Sequence, residues 1–175
     1  ILGSSLYGAQ LAAVLGLPYA FASHFSPAQL MRALEVYRSR FKPSPYLQEP
    51  YAMVAANVVA ADTDQEAQRL FTSVQQQFLH IRRGKARQMQ PPVDDIRQHW
   101  PDFELAGIEQ VLSFSVVGSP DTVRQRLAEI IDQTKANELI ISAPIFDHQA
   151  RKRSIAIAAQ ARDALTAQTA MAAAV

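Results

Sequence analysis

Cysteine is absent from this 175-residue chain. That excludes a disulfide framework, thiolate metal sites and thiol nucleophiles, and it fits a reducing compartment, so a cytoplasmic location is expected. Charge is scarce: Asp, Glu, Lys and Arg make up 19% of the residues, and 17 Lys+Arg against 16 Asp+Glu leave a net charge of +1. A nucleic-acid surface is therefore not expected. The one basic run, Arg82-Arg83-Gly84-Lys85-Ala86-Arg87, suits a solvated helix C-terminus, where cations complement the dipole. No apolar run reaches the roughly 18 residues of a membrane span, and the first residues lack the basic flank and cleavage site of a signal peptide. His80 and His99 are not spaced as ligands of one ion, and no His-x3-His or paired acidic motif accompanies them, so no metal site is expected.

What is present is a core. Hydrophobic residues make up 49% of the chain, enough for a single domain that needs no disulfide or metal to hold it. The chain opens at Ile1, inside an apolar strand-like run and without an initiator Met, and so reads as a piece of a longer protein. One domain is expected over 1–175, with a frayed Ala-rich tail at 166–175.

Apolar strand-like runs alternate with helical periodicity. Ile1-Leu2-Gly3 reads as a strand, followed by a helix opened by Ser4 or Ser5 and stopped by Gly16-Leu17-Pro18. Tyr19 to Ala22 has the length of a strand buried on both faces, and Ser26-Pro27 starts a second helix with Leu30, Leu34 and Tyr37 on one stripe. Tyr51 to Ala61 reads as a third buried strand, and Asp62 or Thr63 caps a helix to about Ile81 with Ala67, Leu70, Val74, Phe78 and Ile81 inward. Residues 81–119 read as an excursion between the third and fourth strands, broken by Pro91-Pro92, Asp94-Asp95 and Trp100-Pro101. Gly118-Ser119-Pro120-Asp121 then starts a helix with Val123, Leu127, Ile130 and Ile131 inward. Glu138 to Pro144 is the fourth strand, and a last helix from Asp147 to about Ala164 places Ile155, Ile157, Ala158, Ala161 and Leu165 inward. Such alternation means parallel strands covered by helices, in an open doubly wound sheet or part of a (β/α)8 barrel. In both, ligands bind at the C-terminal ends of the strands.

Gly3-Ser4-Ser5 lies at such an end and could aim free backbone N–H groups at a phosphate; the plain alternative is a serine N-cap after a glycine turn. It is neither a Walker A loop nor a Gly-x-Gly-x-x-Gly fingerprint. His24 follows the second strand and could donate a proton or wall a ring, or else be a satisfied structural histidine. His148 reads as a first-turn helix residue, Gly118-Ser119 as a structural cap and Asp94-Asp95 as a solvated turn.

Four stretches together resemble the C-terminal half of the bacterial luciferase-like monooxygenases: Ile-Leu-Gly-Ser-Ser-Leu-Tyr-Gly-Ala-Gln-Leu-Ala-Ala (1–13), Gly-Leu-Pro-Tyr-Ala-Phe-Ala-Ser-His-Phe (16–25), Val-Gly-Ser-Pro-Asp-Thr-Val (117–123) and Ile-Phe-Asp-His-Gln-Ala-Arg (145–151). The resemblance covers essentially the whole chain and is nearer to the flavin-dependent oxidoreductases of that family than to its light-emitting members. It implies an α/β fold forming strands five to eight of a TIM-type (β/α)8 barrel. It also implies reduced FMN as cofactor, with one atom of O2 passing to a small organic substrate. The turn that holds the FMN phosphate in this family matches Gly3, Ser4 and Ser5; the luciferases carry an acidic residue near the position of Ser4, a departure here. His24, as the catalytic candidate, and Phe25 would face flavin or substrate. The implied partners are a flavin reductase and a complementary N-terminal half or a second copy, because a half-barrel leaves two open strand edges. The isolated chain is expected to lack full activity.

Overall fold

The computed structural model describes residues 1–173, with side chains as far as Gln168. The chain divides into two compact units, residues 1–56, 110–114 and 130–142, and residues 57–109, 115–129 and 143–175.

The first unit holds β1 (Leu2–Gly3), α1 (Leu6–Leu15), β2 (Tyr19–Phe21), a 3-10 turn at Pro27–Gln29, α2 (Leu30–Arg40), the first part of β3 (Ala52–Ala60) and a later strand at Glu138–Ser142. β1 and β2 run parallel with Leu2 opposite Ala20 and Gly3 opposite Phe21, and β2 runs parallel to β3 with Phe21 opposite Val54. The expected helix stripe is present: Leu30, Leu34 and Tyr37 are buried. α1 packs on α2, and its buried residues are the small Gly8, Ala9, Ala12 and Ala13, Gly8 lying against Tyr19 of β2. Gly16 ends α1 in the left-handed region at φ +61°, and a Cβ there would lie 2.5 Å from the Lys42 carbonyl oxygen, so the position requires glycine. Tyr37 ties the unit together, its hydroxyl donating to the Leu17 carbonyl at 2.9 Å and accepting from the Tyr51 N–H at 3.0 Å.

The second unit holds the rest of β3, α3 (Asp64–Arg82), a 3-10 turn at Ile96–Gln98, α4 (Asp102–Glu109), β4 (Ser115–Gly118), most of α5 (Pro120–Thr134) and α6 (His148–Ala173). β3 runs parallel to β4, with Asn57 opposite Ser115 and Ala60 opposite Gly118. Ser154 of α6, fully buried, accepts from the Ala60 N–H at 2.9 Å and donates to the Val58 carbonyl at 3.1 Å. Trp100 is covered by His80, edge-on at 5.0 Å, and by the Arg83 guanidinium 4.3 Å from its ring centroid. Arg83 in turn pairs with Glu104.

The strands β1, β2 and β3 fall where the apolar runs place them. The 81–119 segment is not devoid of regular structure, because it contains α4 and β4. β4 escapes a sequence reading because it is only four residues long and alternates half-buried and buried positions. The expected fourth strand is therefore β5 (Glu138–Ser142), which pairs with β3 and is not covered on both faces: Ile140 and Ile141 remain partly exposed. Inward faces also shift at helix ends. Leu79 is buried where Ile81 was expected, and Ser154 and Ile157 are buried while Ile155 is exposed. α6 continues beyond Ala164 to Ala173, into the stretch expected to fray, and residues 174–175 lie outside the described residues. Among the described residues no helix is long and apolar enough to cross a membrane.

Candidate functional site

β1 is two residues long and hands the chain directly to α1 through Ser4 and Ser5. Ser5 is the N-cap residue of α1, with extended backbone, yet its side chain makes no capping hydrogen bond, and the first turn carries no acidic residue. The first N–H groups of α1 are thus left with neither a side-chain acceptor nor a carboxylate near them. The turn is held from below: Tyr19, fully buried in β2, donates its hydroxyl to the Ser5 carbonyl at 3.2 Å. Burial pushes the Tyr19 hydroxyl up to about 12, so it stays protonated and remains a donor across the physiological range. A Cβ on Gly8 would touch the same ring at 3.5 Å, an ordinary contact, and one on Gly3 would meet Gly8 Cα at 3.9 Å. Steric demand therefore does not explain Gly3.

β2 ends beside this turn. The Ala22 N–H donates to the Gly3 carbonyl at 2.9 Å, the last link between the two strands. Ser23 is fully buried and donates its hydroxyl to the Ala55 carbonyl in β3 at 2.5 Å. His24 and Phe25 follow, the two rings meeting edge to face at 4.6 Å and 86°. His24 is half-buried and Phe25 is 47% exposed. Burial holds the imidazole below its usual value, which favours the neutral ring, able to donate from one nitrogen and accept at the other. Parallel pairing thus brings Gly3, Ser4, Ser5 and His24 to the C-terminal ends of two adjacent strands.

Three other helix starts are occupied, whereas α2, which continues the 3-10 turn at Pro27–Gln29, also has no side-chain cap. Thr63 caps α3 by accepting from the Glu66 N–H at 3.2 Å. Asp64 accepts from the Ser119 N–H at 2.7 Å before α5, and Asp147 accepts from the Ala150 N–H at 2.7 Å in α6. The Ser119 bonds, backbone first, hold the Asp64 carboxyl below the usual range. At the end of β3 a hollow of about 220 Å³ is lined by Ala61, Asp62, Glu66 and Arg153, among others. Its charges are already spent on one another, because Arg153 donates to Asp62 at 2.5 and 3.0 Å and Arg69 pairs with Glu66 at 2.8 Å.

Several expected structural roles can be located. Gly118-Ser119 leads into α5 with the Ser119 hydroxyl 3.2 Å from that of Thr122, and Asp95 closes the 3-10 turn by accepting from the Arg97 N–H at 2.9 Å. His148 sits in the first turn of α6 near Arg151. Among the described residues no group of three or more His, Asp or Glu is placed to hold a metal ion. Tyr19 and Ser23 escape a sequence reading of the site because each sits in an apolar run; the only signal is a hydroxyl at a position that should be buried.

The family model for luciferase-like monooxygenases matches residues 1–138. The chain belongs to the luciferase-like monooxygenase family. A luciferase-like monooxygenase of Escherichia coli K12 is 50% identical over 165 residues, covering 94% of this chain and 49% of the relative. The uncharacterized protein YvbT of Bacillus subtilis is 46% identical over 159 residues, covering 91% of this chain and 47% of YvbT. Among solved structures, apo-MsnO8 superposes with a TM-score of 0.77 at 32% identity, over 93% of this chain and 49% of MsnO8. The chain therefore spans about half the length of the curated relatives it matches.

Proposed function

We propose that this chain is the C-terminal half of a flavin-dependent luciferase-like monooxygenase, contributing four of the eight strand positions of a (β/α)8 barrel, and that Gly3, Ser4 and Ser5 hold the phosphate of FMN. The observation that carries the reading is the contrast of the α1 start, which directly follows a strand end, with the starts of α3, α5 and α6. The α3 start, the approach to α5 and the first turn of α6 meet a hydroxyl or carboxylate of the chain itself, whereas α1 presents uncapped N–H groups, two serine residues and no negative charge. Such a turn fits a phosphate dianion, because the helix dipole and its free donors stabilise charge that a carboxylate there would repel.

Reduced FMN, when bound, supplies the oxygen-activating chemistry for insertion into an organic substrate. The chain's own part is to hold and shield. Ser4, Ser5 and the α1 amides fix one end of the cofactor. His24, neutral at physiological pH, and Phe25 wall the adjacent strand end, where a ring can stack and a proton can be held at an imidazole nitrogen. A flavin reductase as electron source and residence in the cytoplasm belong to the same proposal.

The test is titration of the purified chain with FMN and with riboflavin, which lacks the phosphate. Wild type prefers FMN, and Ser4→Ala/Ser5→Ala lowers FMN affinity about tenfold, or about 1.4 kcal/mol, while riboflavin affinity holds. Equal loss for both flavins would remove the phosphate assignment.

A second reading, a half-barrel that acts only by pairing with a complementary or identical chain, is favoured by one surface. Tyr7, Leu11, Val14 and Leu15 of α1 recur at helical spacing and are 73, 37, 54 and 49% exposed. Beside them β1 has no second strand partner among the described residues, and its Leu2 is 70% exposed. An uncharged helix face next to an open strand edge is what a further strand and helix would cover. Light scattering separates the readings: a stable dimer that binds no flavin supports the second.

A further inference from the structure

We infer that Tyr19 is a positioning residue for the turn between β1 and α1: its buried hydroxyl fixes the plane of the Ser5–Leu6 peptide and so aims the first amide of α1 at the flavin phosphate. That role rests on the flavin-site reading for its functional meaning, while the hydrogen bond behind it involves the chain alone.

A trans peptide is planar, with its carbonyl and its N–H pointing in opposite directions. The Ser5 carbonyl and the Leu6 N–H share one such plane, so whatever holds the carbonyl also aims the N–H. Tyr19 donates to that carbonyl at 3.2 Å. Its hydroxyl lies beside the first turn of α1, 3.9 Å from where a Cβ on Gly8 would stand. The carbonyl is therefore gripped on the helix side of the peptide, and the Leu6 N–H is left facing out beyond the start of α1. Ser5 is extended and its side chain makes no capping bond that would fix this peptide from the other side.

The donor is itself held still. Tyr19 has no exposed surface, and its backbone N–H donates to the Tyr51 carbonyl at 3.0 Å. Its ring packs 5.4 Å from the ring of Tyr37 and 6.3 Å, edge-on, from that of Phe21. Tyr37 is fastened in turn, donating to the Leu17 carbonyl and accepting from the Tyr51 N–H. The Tyr19 hydroxyl thus stands where the core puts it, and the turn conforms to it. Phenylalanine at 19 would keep the ring and its packing and remove only the oxygen, leaving the core filled and the peptide plane without this grip.

A purely structural tyrosine and a positioning tyrosine make different predictions, and Tyr37 supplies the control. Tyr37→Phe also removes a buried hydroxyl from this core, but one bonded to Leu17 and Tyr51 and not to the turn. The purified chain and both variants are titrated with FMN and with riboflavin, and their backbone amides are followed by NMR. In Tyr19→Phe the Leu6 and Tyr7 amide signals move before any flavin is added. FMN affinity falls about fivefold while riboflavin affinity holds. Tyr37→Phe melts lower and leaves the ratio of the two affinities as in wild type. A wild-type preference for FMN that Tyr19→Phe retains overturns the inference alone, whatever its melting temperature. A wild type that binds both flavins equally removes the phosphate reading itself, and the inference with it. If Tyr19→Phe does not fold, the buried Tyr19 hydroxyl proton of the wild type decides: a signal that moves with FMN and not with riboflavin supports the role, and one that moves with neither overturns it.

Discussion

At the scale of single residues, most of the chemistry lies where polar atoms interrupt apolar runs. His24 is held below its usual value by burial, and His80 is lowered by burial and then by Arg87, Arg83 and Lys85. For both, the unfolded chain binds a proton more readily than the folded one. Their contribution to stability is therefore present above the ordinary histidine value and is lost as pH falls below it. Denaturant unfolding between pH 7 and pH 5 is expected to show declining stability, with a shallower decline in His24→Gln and a remainder from His80. An unchanged slope in the variant would show that His24 is not perturbed. The strand-end position of Gly3, Ser4, Ser5 and His24 was legible because small, hydroxyl-bearing and imidazole residues stand out after apolar runs. Ser23 and Tyr19 were not legible, since nothing in a sequence distinguishes a buried hydroxyl that bonds the next strand from one that merely tolerates burial.

Among elements, legibility followed length and burial. β3 was readable because its nine residues Ala52–Ala60, within the span from Pro50 to Asp62, are apolar or small except for Asn57, and all but Met53 are buried. β4 was hidden by its four-residue length, and the exposed side of β5 was hidden because isoleucine reads the same whether or not it is covered. The helix stop at Gly16 was legible for a physical reason that the structure makes explicit, the left-handed backbone and the Lys42 carbonyl where a Cβ would go. Gly16→Ala is therefore expected to cost about 1–3 kcal/mol, read as a lower denaturation midpoint with unchanged slope; a loss under half of that would mean the turn relaxes. In the second unit, Ser154 of α6 accepts the Ala60 N–H of β3 inside the core. Ser154→Ala leaves that N–H unmet and is expected to cost about 1–3 kcal/mol, checked by the same melts.

For the whole molecule, the question is what meets the bare face of α1 and the open edge of β1. Family membership was legible in the four quoted stretches, whereas the exposure of Tyr7, Leu11, Val14 and Leu15 was not, because an apolar helix reads as buried until its neighbours are counted. Leu11→Lys/Val14→Lys places two cations on that face without touching the buried Gly8, Ala9, Ala12 and Ala13. It is expected to abolish concentration-dependent association in light scattering while leaving helix content intact; undiminished association would place the contact elsewhere.

The central claim is that the turn between β1 and α1 receives the phosphate of FMN. Mapping backbone amide shifts of the labelled chain during FMN titration tests it most directly. The expected result is a saturable response concentrated at Ser4 to Gly8, with His24 and Phe25 following, and with riboflavin moving the second group but not the first. A response centred on the starts of α3, α5 or α6, or none at Ser4 to Gly8 at millimolar FMN, would contradict it.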